Sequence, residues 1–244
     1  MSELQHGYHG IAQHVESPIG YISANDSGGT AADSERAIAA GFCQVPATMY
    51  SRYGKRALEV ALVILLLPMA TMLIALCALL IKMLSPGPVF YRQERVGQGG
   101  QLFGMLKLRT MVPGAENTTG PVWAAEDDPR VTWLGRWLRK ARIDELPQLV
   151  HVLTGQMALI GPRPERPQFV RQFIRYLPCY PSRLSVRPGI TGWAQVNHGY
   201  DNCFGDVCQK LWYDLYYIRH LSLKLDILIL CRTLGVLFRG NGAR

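Results

Sequence analysis

The feature that most constrains this chain is an apolar run from Val60 to Ile81, which is 22 residues long and contains no charged side chain. A helix of that length covers about 30 Å, which is the hydrocarbon thickness of a bilayer. A buried core helix of a globular domain is usually shorter and keeps a polar face. The run therefore predicts a membrane-embedded helix rather than a core helix.

The path of this segment through the membrane depends on Pro68 and on the charges at its two ends. Pro68 lies near the middle, where a proline removes a backbone donor and bends a helix. Positive charge marks the cytoplasmic side of a membrane helix, and both ends are basic. The flanking basic residues are Arg52, Lys55, Arg56, Lys82, Arg92 and Arg95. A re-entrant, proline-broken helix that returns to the same face would show this pattern, and a simple span remains the alternative.

The apolar run divides the chain into three parts. Residues 1–50 are rich in small and polar residues and are expected to form a poorly ordered extension. They contain no basic start followed by an apolar core, so no signal peptide is expected. The membrane-embedded helix is expected over residues 51–84, and a compact domain is expected over residues 85–244.

Turn residues predict one small β-hairpin directly after the membrane segment. Two strand-like arms lie within residues 89–111, and the turn between them contains Gly97, Gly99 and Gly100. This glycine string lacks the third glycine of a dinucleotide-binding loop, so a turn is the better interpretation. Residues 112–130, which follow, have the composition of a long loop.

Helical spacing dominates the rest of the domain, so the predicted fold class is α+β and mainly helical. Helices are expected over residues 131–140 and from Pro147 to Gly155. Residues 166–177 place apolar side chains on one face and arginines elsewhere, which predicts an amphipathic helix lying on an anionic membrane surface. An ordinary surface helix packed on the core is the alternative. The expected architecture is a compact domain surrounded by amphipathic interfacial helices.

The charge of the chain is unevenly distributed. Of its 26 basic and 18 acidic residues, residues 1–50 hold one basic and five acidic residues, which leaves 25 basic against 13 acidic in the rest. The excess of basic residues after residue 50 suits a polyanionic partner, which could be nucleic acid, anionic lipid headgroups or a diphosphate substrate. No nucleic-acid-binding motif is recognisable, so nucleic acid is not expected. The six cysteines and six histidines show no zinc-like spacing.

Three polar groupings have residue types suited to phosphate chemistry. Asp144 and Glu145 are adjacent carboxylates behind a run of cations; a carboxylate can attack phosphorus or bind a divalent metal, and nearby cations keep it ionised. A proline-rich segment would present Arg163 as a rigid phosphate ligand. Lys107 and Arg109 would share one face of a strand. Each grouping also has a plain structural interpretation as a helix start, a turn or an exposed strand face.

Four motifs, in this order after a proline-broken apolar segment, resemble those of the monotopic bacterial phosphoglycosyl transferases. These enzymes are the initiating sugar transferases of exopolysaccharide, capsule and O-antigen synthesis. The resemblance covers roughly residues 52–240. The motifs are Lys107-Leu108-Arg109-Thr110-Met111, Asp144-Glu145-Leu146-Pro147-Gln148-Leu149, Gly161-Pro162-Arg163-Pro164, and Arg187-Pro188-Gly189-Ile190-Thr191-Gly192-Trp193-Ala194-Gln195-Val196-Asn197.

The resemblance implies a mechanism and a set of site residues. In the family, the aspartate attacks the β-phosphorus of a UDP-sugar, UMP leaves, and polyprenol (undecaprenyl) phosphate then takes the sugar-phosphate from the enzyme. By position, Asp144 is the nucleophile and a ligand of Mg²⁺, and Glu145 assists it. Arg139, Arg163 and Lys107 are the expected ligands of substrate phosphate. The implied location is the bacterial cytoplasmic (inner) membrane, with the catalytic domain on the cytoplasmic face and in contact with membrane lipids.

The chain departs from the family pattern at two places. Leu67 replaces the usual polar residue before the helix-breaking proline, and the segment His198-Gly199-Tyr200 replaces the usual Gly-Arg after Asn197. The chain lacks the multi-helix N-terminal module of larger members, so the compact form is expected, with a homodimer permitted. The sugar is open among glucose, galactose and N-acetylated sugars. A non-catalytic membrane-anchored scaffold and a membrane-bound phosphohydrolase are the alternative functions.

Overall fold

The structure, a computed structural model, describes residues 45–115, 128–198 and 204–239. Within these ranges the chain is mainly helical with two small sheets, which confirms the predicted fold class in its coarse form. The predicted extension over residues 1–50 lies outside the described residues, apart from its last few. The middle of the predicted loop over residues 112–130 lies outside them as well.

The membrane segment forms one long helix. A π-helical turn over Tyr50–Gly54 leads into helix α1, Lys55–Leu84, which contains Pro68 in its interior. Among the described residues this is the one helix long and apolar enough to cross a membrane, and only 17% of its most apolar window is buried. Most of its leucine and methionine side chains are therefore exposed, and an exposed apolar surface of this size on a helix of this length suggests a membrane location.

One stripe of α1 packs against the rest of the protein along most of the helix. Val63 and Ala70 contact a core cluster that includes Phe103 and Met105. Further along, Cys77 and Ile81 belong to a second cluster with Leu108 and Leu138. The domain therefore holds the helix near both of its ends.

The predicted hairpin is confirmed. Strand β1, Phe90–Val96, pairs antiparallel with strand β2, Leu102–Leu108. Gly99 and Gly100 in the connecting turn have φ angles of 64° and 81°, which glycine adopts at little steric cost. The inward face of β2 packs against α1 and against the turn that contains the adjacent carboxylates.

Two short helices follow the hairpin and bracket that turn. Helix α2, Trp133–Lys140, begins with the side chain of Thr132 accepting a hydrogen bond from Gly135 N at 2.9 Å. A 3₁₀ turn, Ile143–Gln148, leads into helix α3, Leu149–Thr154, which ends at Gly155 with φ 85°. The predicted helix between Pro147 and Gly155 is confirmed, and the carboxylates lie in the 3₁₀ turn before it.

A small parallel sheet brings two of the sequence motifs together. Strand β3, Ala158–Ile160, pairs with strand β4, Gly189–Thr191. A Cβ added to Gly189 would lie 2.1 Å from Gly161 N, so only glycine permits this approach of the two backbones. The glycines of both motifs therefore have a packing role.

The remaining helices enclose the main core. They are α4, Pro167–Tyr176; α5, Trp193–Asn197; α6, Phe204–Arg219; and α7, Leu223–Arg239. On α4, Val170 and Phe173 are buried in this core, while Arg171 and Arg175 are exposed. The predicted amphipathic pattern is confirmed, and the core covers much of its apolar face. Its contact with a membrane surface stays a prediction.

A buried polar cluster holds the first turn of α1 to the last two helices. Lys55 Nζ donates to Glu59 Oε1 at 2.7 Å and to Asp226 Oδ2 at 2.8 Å. Asp226 also accepts hydrogen bonds from the hydroxyls of Tyr50, at 2.6 Å, and Tyr217, at 2.8 Å. Because the two carboxylates are 3% and 1% exposed, Lys55 and the tyrosines take the place of water around them.

Replacing the lysine of this cluster should destabilise the protein strongly. Lys55→Met leaves Glu59 and Asp226 buried without their cation, which typically costs about 3 kcal/mol or more. We expect a clearly lower Tm in detergent micelles by scanning fluorimetry. The matched control is Lys82→Met, which changes an exposed lysine at the opposite end of α1 and should leave Tm nearly unchanged. Equal Tm values for the two variants would contradict the role of the cluster.

Candidate active site

The two adjacent carboxylates are buried side by side in the 3₁₀ turn. Asp144 is 7% exposed and Glu145 is 6% exposed, although both are charged residue types. The turn packs against β2 on one side and follows α2 on the other. Buried carboxylates require compensating partners, and the two residues differ sharply in the partners that they have.

Glu145 is the centre of an ion-pair cluster. Lys107 Nζ, from β2, lies 2.9 Å from Glu145 Oε1, and the Arg163 guanidinium donates to both carboxylate oxygens. Arg142 Nη1 lies 3.7 Å from Oε2. Burial acts to raise the pKa of Glu145, but the charges and hydrogen bonds of these cations outweigh it and hold the pKa well below its usual range. Glu145 is therefore a fixed anion that organises the cations.

Asp144 has no such partners. In the part of the chain that the structure describes, no hydrogen bond or ion pair is formed by its carboxylate. Burial raises its pKa, and neighbouring Glu145 acts in the same direction, while Lys107, Arg139 and Arg163 oppose the rise. A buried carboxylate that neighbouring cations favour in its charged form, yet do not bind directly, is available to react with a ligand.

The segment that contains Arg163 is held by two other arginines. Arg183 Nη2 donates to the backbone carbonyl of Arg163 at 2.9 Å, and Arg95 Nη1 donates to the carbonyl of Pro164 at 2.9 Å. These bonds fix the backbone on the C-terminal side of the Arg163 Cα, and Pro162 restricts it on the N-terminal side. The predicted rigid presentation of Arg163 thus has a structural basis, and its guanidinium meets Glu145.

Arg183 and its partners were not found by sequence reasoning. Arg183 is 4% exposed, and its guanidinium contacts Asp214 Oδ2 at 2.7 Å and the Tyr180 hydroxyl at 2.6 Å. One signal was available in the sequence. Asp214 lies beside Leu211 and Leu215 on the apolar face of α6, and a carboxylate in such a position must be paired with a cation. The sequence does not indicate which cation that is.

The basic residues near the site, Arg139, Lys107 and Arg109, bind different partners. Arg139, at the end of α2, donates through Nε to Thr110 Oγ1 at 2.9 Å, and its charge opposes the rise that burial causes in the pKa of Asp144. Lys107 points to Glu145, but Arg109 donates to the carbonyls of Pro86 and Ser85 at 2.7 and 3.0 Å. Lys107 and Arg109, which were predicted to share one face of a strand, therefore have different partners: Lys107 contacts Glu145, and Arg109 binds the backbone just after α1.

The predicted Mg²⁺ ligand is Asp144. Among the described residues, no group of three or more histidine, cysteine or acidic side chains could hold a metal by itself. Mg²⁺ usually binds through one or two carboxylates and completes its coordination with substrate phosphates and water. The carboxylate of Asp144 is compatible with that mode of binding. Binding of Mg²⁺ by Asp144 together with the substrate phosphates stays a prediction.

Neutralising each carboxylate in turn should change stability in opposite directions at neutral pH. The folded state lowers the pKa of Glu145, so its charge stabilises the fold above the ordinary pKa of 4.5, and this contribution is lost on acidification. The pKa of Asp144 is raised, so its ionised form opposes folding above 3.8.

At pH 7 we therefore expect Glu145→Gln to lower stability by about 3 kcal/mol, as in other broken buried pairs. Asp144→Asn should raise Tm above that of the parent. Thermal unfolding measured from pH 7 downward should show the Asp144→Asn difference shrinking as the pH falls toward 3.8, and the Glu145→Gln difference shrinking only below about pH 4.5, as the pH approaches the lowered pKa of Glu145. Similar losses of stability in the two variants would refute the division between a paired and an unpaired carboxylate.

Sequence comparison relates this chain to known proteins. The profile of the bacterial sugar transferase family matches residues 50–240. The chain is 45% identical over 200 residues to the UDP-N-acetylgalactosamine-undecaprenyl-phosphate N-acetylgalactosaminephosphotransferase of Aeromonas hydrophila. The matched segment is 82% of this chain and 47% of that protein. Over 190 residues it is 38% identical to the UDP-glucose:undecaprenyl-phosphate glucose-1-phosphate transferase of Escherichia coli (strain K12), covering 77% and 41% of the two chains.

A protein of the same name from Caulobacter vibrioides is 42% identical over 191 residues, which are 78% of this chain and 71% of that protein. The chain spans less than half the length of the Aeromonas and Escherichia relatives. The family profile nevertheless extends from the turn before α1 to the end of α7 and includes every site residue described above. The chain belongs to the bacterial sugar transferase family.

Proposed function

We propose that this protein transfers a sugar-1-phosphate from a UDP-sugar to polyprenol phosphate, giving polyprenyl-diphosphate-sugar and UMP. The observation that supports this most directly is the asymmetry of the carboxylates. Glu145 is bound by Lys107 and Arg163, whereas Asp144 is buried beside the same cations with no partner of its own among the described residues. This is the arrangement expected of an activated nucleophile and its fixed electrostatic support.

The first step forms a covalent bond to Asp144. A carboxylate oxygen of Asp144 attacks the β-phosphorus of the UDP-sugar, and the bond from that phosphorus to the oxygen bridging to the α-phosphorus breaks. That oxygen leaves with its electron pair as part of UMP. In the second step, a phosphate oxygen of polyprenol phosphate attacks the same phosphorus and releases Asp144 as a free carboxylate. No net oxidation or reduction occurs, and the polyprenol phosphate dianion needs no base.

The cations of the site favour this reaction electrostatically. Arg163 and Arg139 would bind the substrate phosphates, and the charge of Lys107 favours the ionised form of Glu145 and Asp144. Charge builds up on the bridging oxygen as UMP leaves, and fixed cations in a buried site stabilise such charge. Mg²⁺ held by Asp144 together with the substrate diphosphate would supply further neutralisation of the leaving group.

The contacts of α1 support a re-entrant path through the cytoplasmic membrane. At its start, Arg56 donates to the carbonyls of Val152 and Leu153, and just after its end Ser85 and Pro86 accept hydrogen bonds from Arg109. Both ends of the helix are therefore bound to one domain. In a straight span the ends would lie on opposite sides of the bilayer, so we place both at the cytoplasmic face.

Exposed aromatic residues on α2 support a location at the membrane interface. Trp133 and Trp137 are 70% and 57% exposed, one helical turn apart, and the exposed basic residues Arg136 and Lys140 lie on the same helix. Tryptophan and basic side chains favour the headgroup region of a membrane. Because α2 leads directly into the carboxylate turn, an α2 that lies at the interface would bring the site to where a soluble donor and a lipid acceptor can meet.

The released nucleotide tests the proposed reaction. With a panel of UDP-sugars, undecaprenyl phosphate and Mg²⁺, the purified protein should release UMP, and the panel identifies the sugar. UDP would indicate direct glycosyl transfer, free phosphate a phosphohydrolase, and no turnover with retained lipid binding a scaffold. Chelation with EDTA should abolish turnover if the metal is required.

The covalent step is tested with the donor alone. Without acceptor, intact-mass measurement should show a sugar-phosphate adduct on the parent protein. Asp144→Asn should form no adduct and lose at least about 1,000-fold in turnover, as expected for removal of a nucleophile. The control Glu94→Gln removes an exposed carboxylate on β1 and should leave both unchanged. An adduct or full activity in Asp144→Asn would refute the nucleophile.

Cysteine labelling tests the membrane path. In a chain whose native cysteines are replaced by serine, Tyr53→Cys and Met83→Cys place single thiols at exposed positions near the two ends of α1. A membrane-impermeant maleimide should label both in inverted vesicles and neither in intact spheroplasts. Labelling of either site in spheroplasts would contradict the re-entrant path.

A further inference from the structure

His151, on α3, is a buried histidine whose two ring nitrogens have different hydrogen-bond partners. Its side chain belongs to a residue that is 8% exposed. Nε2 accepts from Leu106 N on β2 at 3.0 Å, and Nδ1 lies 2.8 Å from Gln156 Oε1. A backbone N–H can only donate, so Nε2 must be the unprotonated nitrogen and Nδ1 must carry the proton. The two contacts therefore require a neutral imidazole of one defined tautomer.

The hydrogen bond to His151 lies on the edge of β2 that faces away from β1. Arg109 N bonds to Val89 O across the same antiparallel ladder. Bonded and non-bonded pairs alternate along such a ladder, so Leu106, three positions before Arg109, belongs to a non-bonded pair. Its N–H therefore points outward, and a buried N–H without a partner is costly. His151 supplies the partner that a third strand would otherwise provide.

Two contacts join the part of β2 around Lys107 to the carboxylate turn and the helix that follows it. Lys107 Nζ lies 2.9 Å from Glu145 Oε1, and Leu106, the residue before Lys107, is bound by His151. The first contact is made by a long and flexible side chain, which can reach several positions. The second joins a backbone group to a rigid ring. His151 therefore fixes the backbone from which the Lys107 side chain extends.

The position of Lys107 matters because two carboxylates compete for its charge. Burial acts to raise the pKa of Asp144 and of Glu145, and the charge of Lys107 acts to lower both. Its ammonium group forms its ion pair with Glu145. Displacement of a group by about 1 Å can change the rate of an aligned site strongly. A Lys107 that paired with Asp144 would hold the carboxylate that the proposed reaction needs to be available.

We propose that His151 is a positioning residue for the proposed reaction, whose Nε2 holds Leu106 and so keeps Lys107 paired with Glu145 rather than with Asp144. This inference rests on the proposed function and names a residue that acts on the site through the backbone of β2. Gln156 supports it by accepting from Nδ1, which keeps the proton away from Nε2.

Two substitutions separate the acceptor nitrogen of His151 from its bulk. The amide oxygen of glutamine is as many bonds from Cα as Nε2 is, so His151→Gln keeps an acceptor for Leu106 N. His151→Phe keeps a ring against Phe103 but has no acceptor. With the donor alone, the maximal rate of adduct formation should fall roughly 10–100-fold in the phenylalanine variant, as for a displaced catalytic group. The half-saturating UDP-sugar concentration should change little, and the glutamine variant should recover most of the rate.

The same two substitutions at an exposed histidine are the matched controls. His220 follows α6 directly, and His220→Gln and His220→Phe should leave the rate of adduct formation unchanged. A parent-like rate in His151→Phe would overturn the proposal, as would a glutamine variant as impaired as the phenylalanine variant. A higher half-saturating concentration with an unchanged maximal rate would also overturn it, because that result indicates a role in binding the donor.

A stability measurement tests the inference independently of turnover. The coupling between Lys107 and Glu145 is obtained from the free energies of unfolding of Lys107→Met, Glu145→Gln and the double variant. We expect this coupling to fall in the His151→Phe background and to return in the His151→Gln background. Equal coupling in all backgrounds would overturn the inference, even in a chain that releases UMP. The expected pattern would support the positioning of Lys107 even if the parent chain released no UMP.

The tautomer of His151 can be read in the parent protein without any destabilising substitution. In ¹⁵N NMR of histidine-labelled protein in micelles, the His151 signals are assigned by their loss in His151→Gln. They should show a protonated Nδ1 and an unprotonated Nε2. A proton on Nε2 would exclude the hydrogen bond from Leu106 N and would overturn the inference, even if the phenylalanine variant failed to fold.

Discussion

The ion-pair cluster around Glu145 is the interaction on which the site depends. Two adjacent carboxylates buried together would repel each other and be driven to take up protons. Lys107 from β2 and Arg163 from the proline-rich segment bind one of them directly, which fixes its charge and leaves the other unbound. If the cations were shared equally, the carboxylate of Asp144 would be held in ion pairs as well. The inequality between the neighbours is therefore what leaves Asp144 available for the proposed reaction.

The same contacts join the site to the membrane segment. Strand β2 presents Lys107 to Glu145, and its Met105 packs on the face of α1 that includes Val63 and Ala70. Arg109, which follows β2, binds the carbonyls that end the membrane helix. One seven-residue strand thus sets the distance between the lipid-facing helix and the carboxylates. The proposed reaction, with one soluble and one lipid substrate, needs that distance to be constant, which a flexible tether would not provide.

The sequence predicted local features well and long-range pairings poorly. Spacing and turn residues identified the apolar helix, the hairpin with Gly99 and Gly100, and the helix that ends at Gly155, because each depends on neighbouring residues. The use of Arg109 as a cap for α1 and the pairing of Arg183 with Asp214 depend on tertiary contacts across 23 to 31 positions. Asp144 and Glu145 were found as a pair, but only the fold shows that their electrostatic environments differ.

Stability and function oppose each other within four consecutive residues. Arg142 adopts a backbone conformation that glycine would take more easily, and burial raises the pKa of Asp144 against the charge that chemistry requires. Ile143, between them, packs on the apolar cluster that includes Ile81 of α1 and Leu138 of α2. The ion pairs that Glu145 forms with its neighbouring cations offset part of this loss of stability. A short 3₁₀ turn can sustain such strain because it is anchored on both sides, by the helix before it and by the membrane-facing core beneath it. This explains why the proposed nucleophile lies in a connecting turn between two helices rather than within either of them.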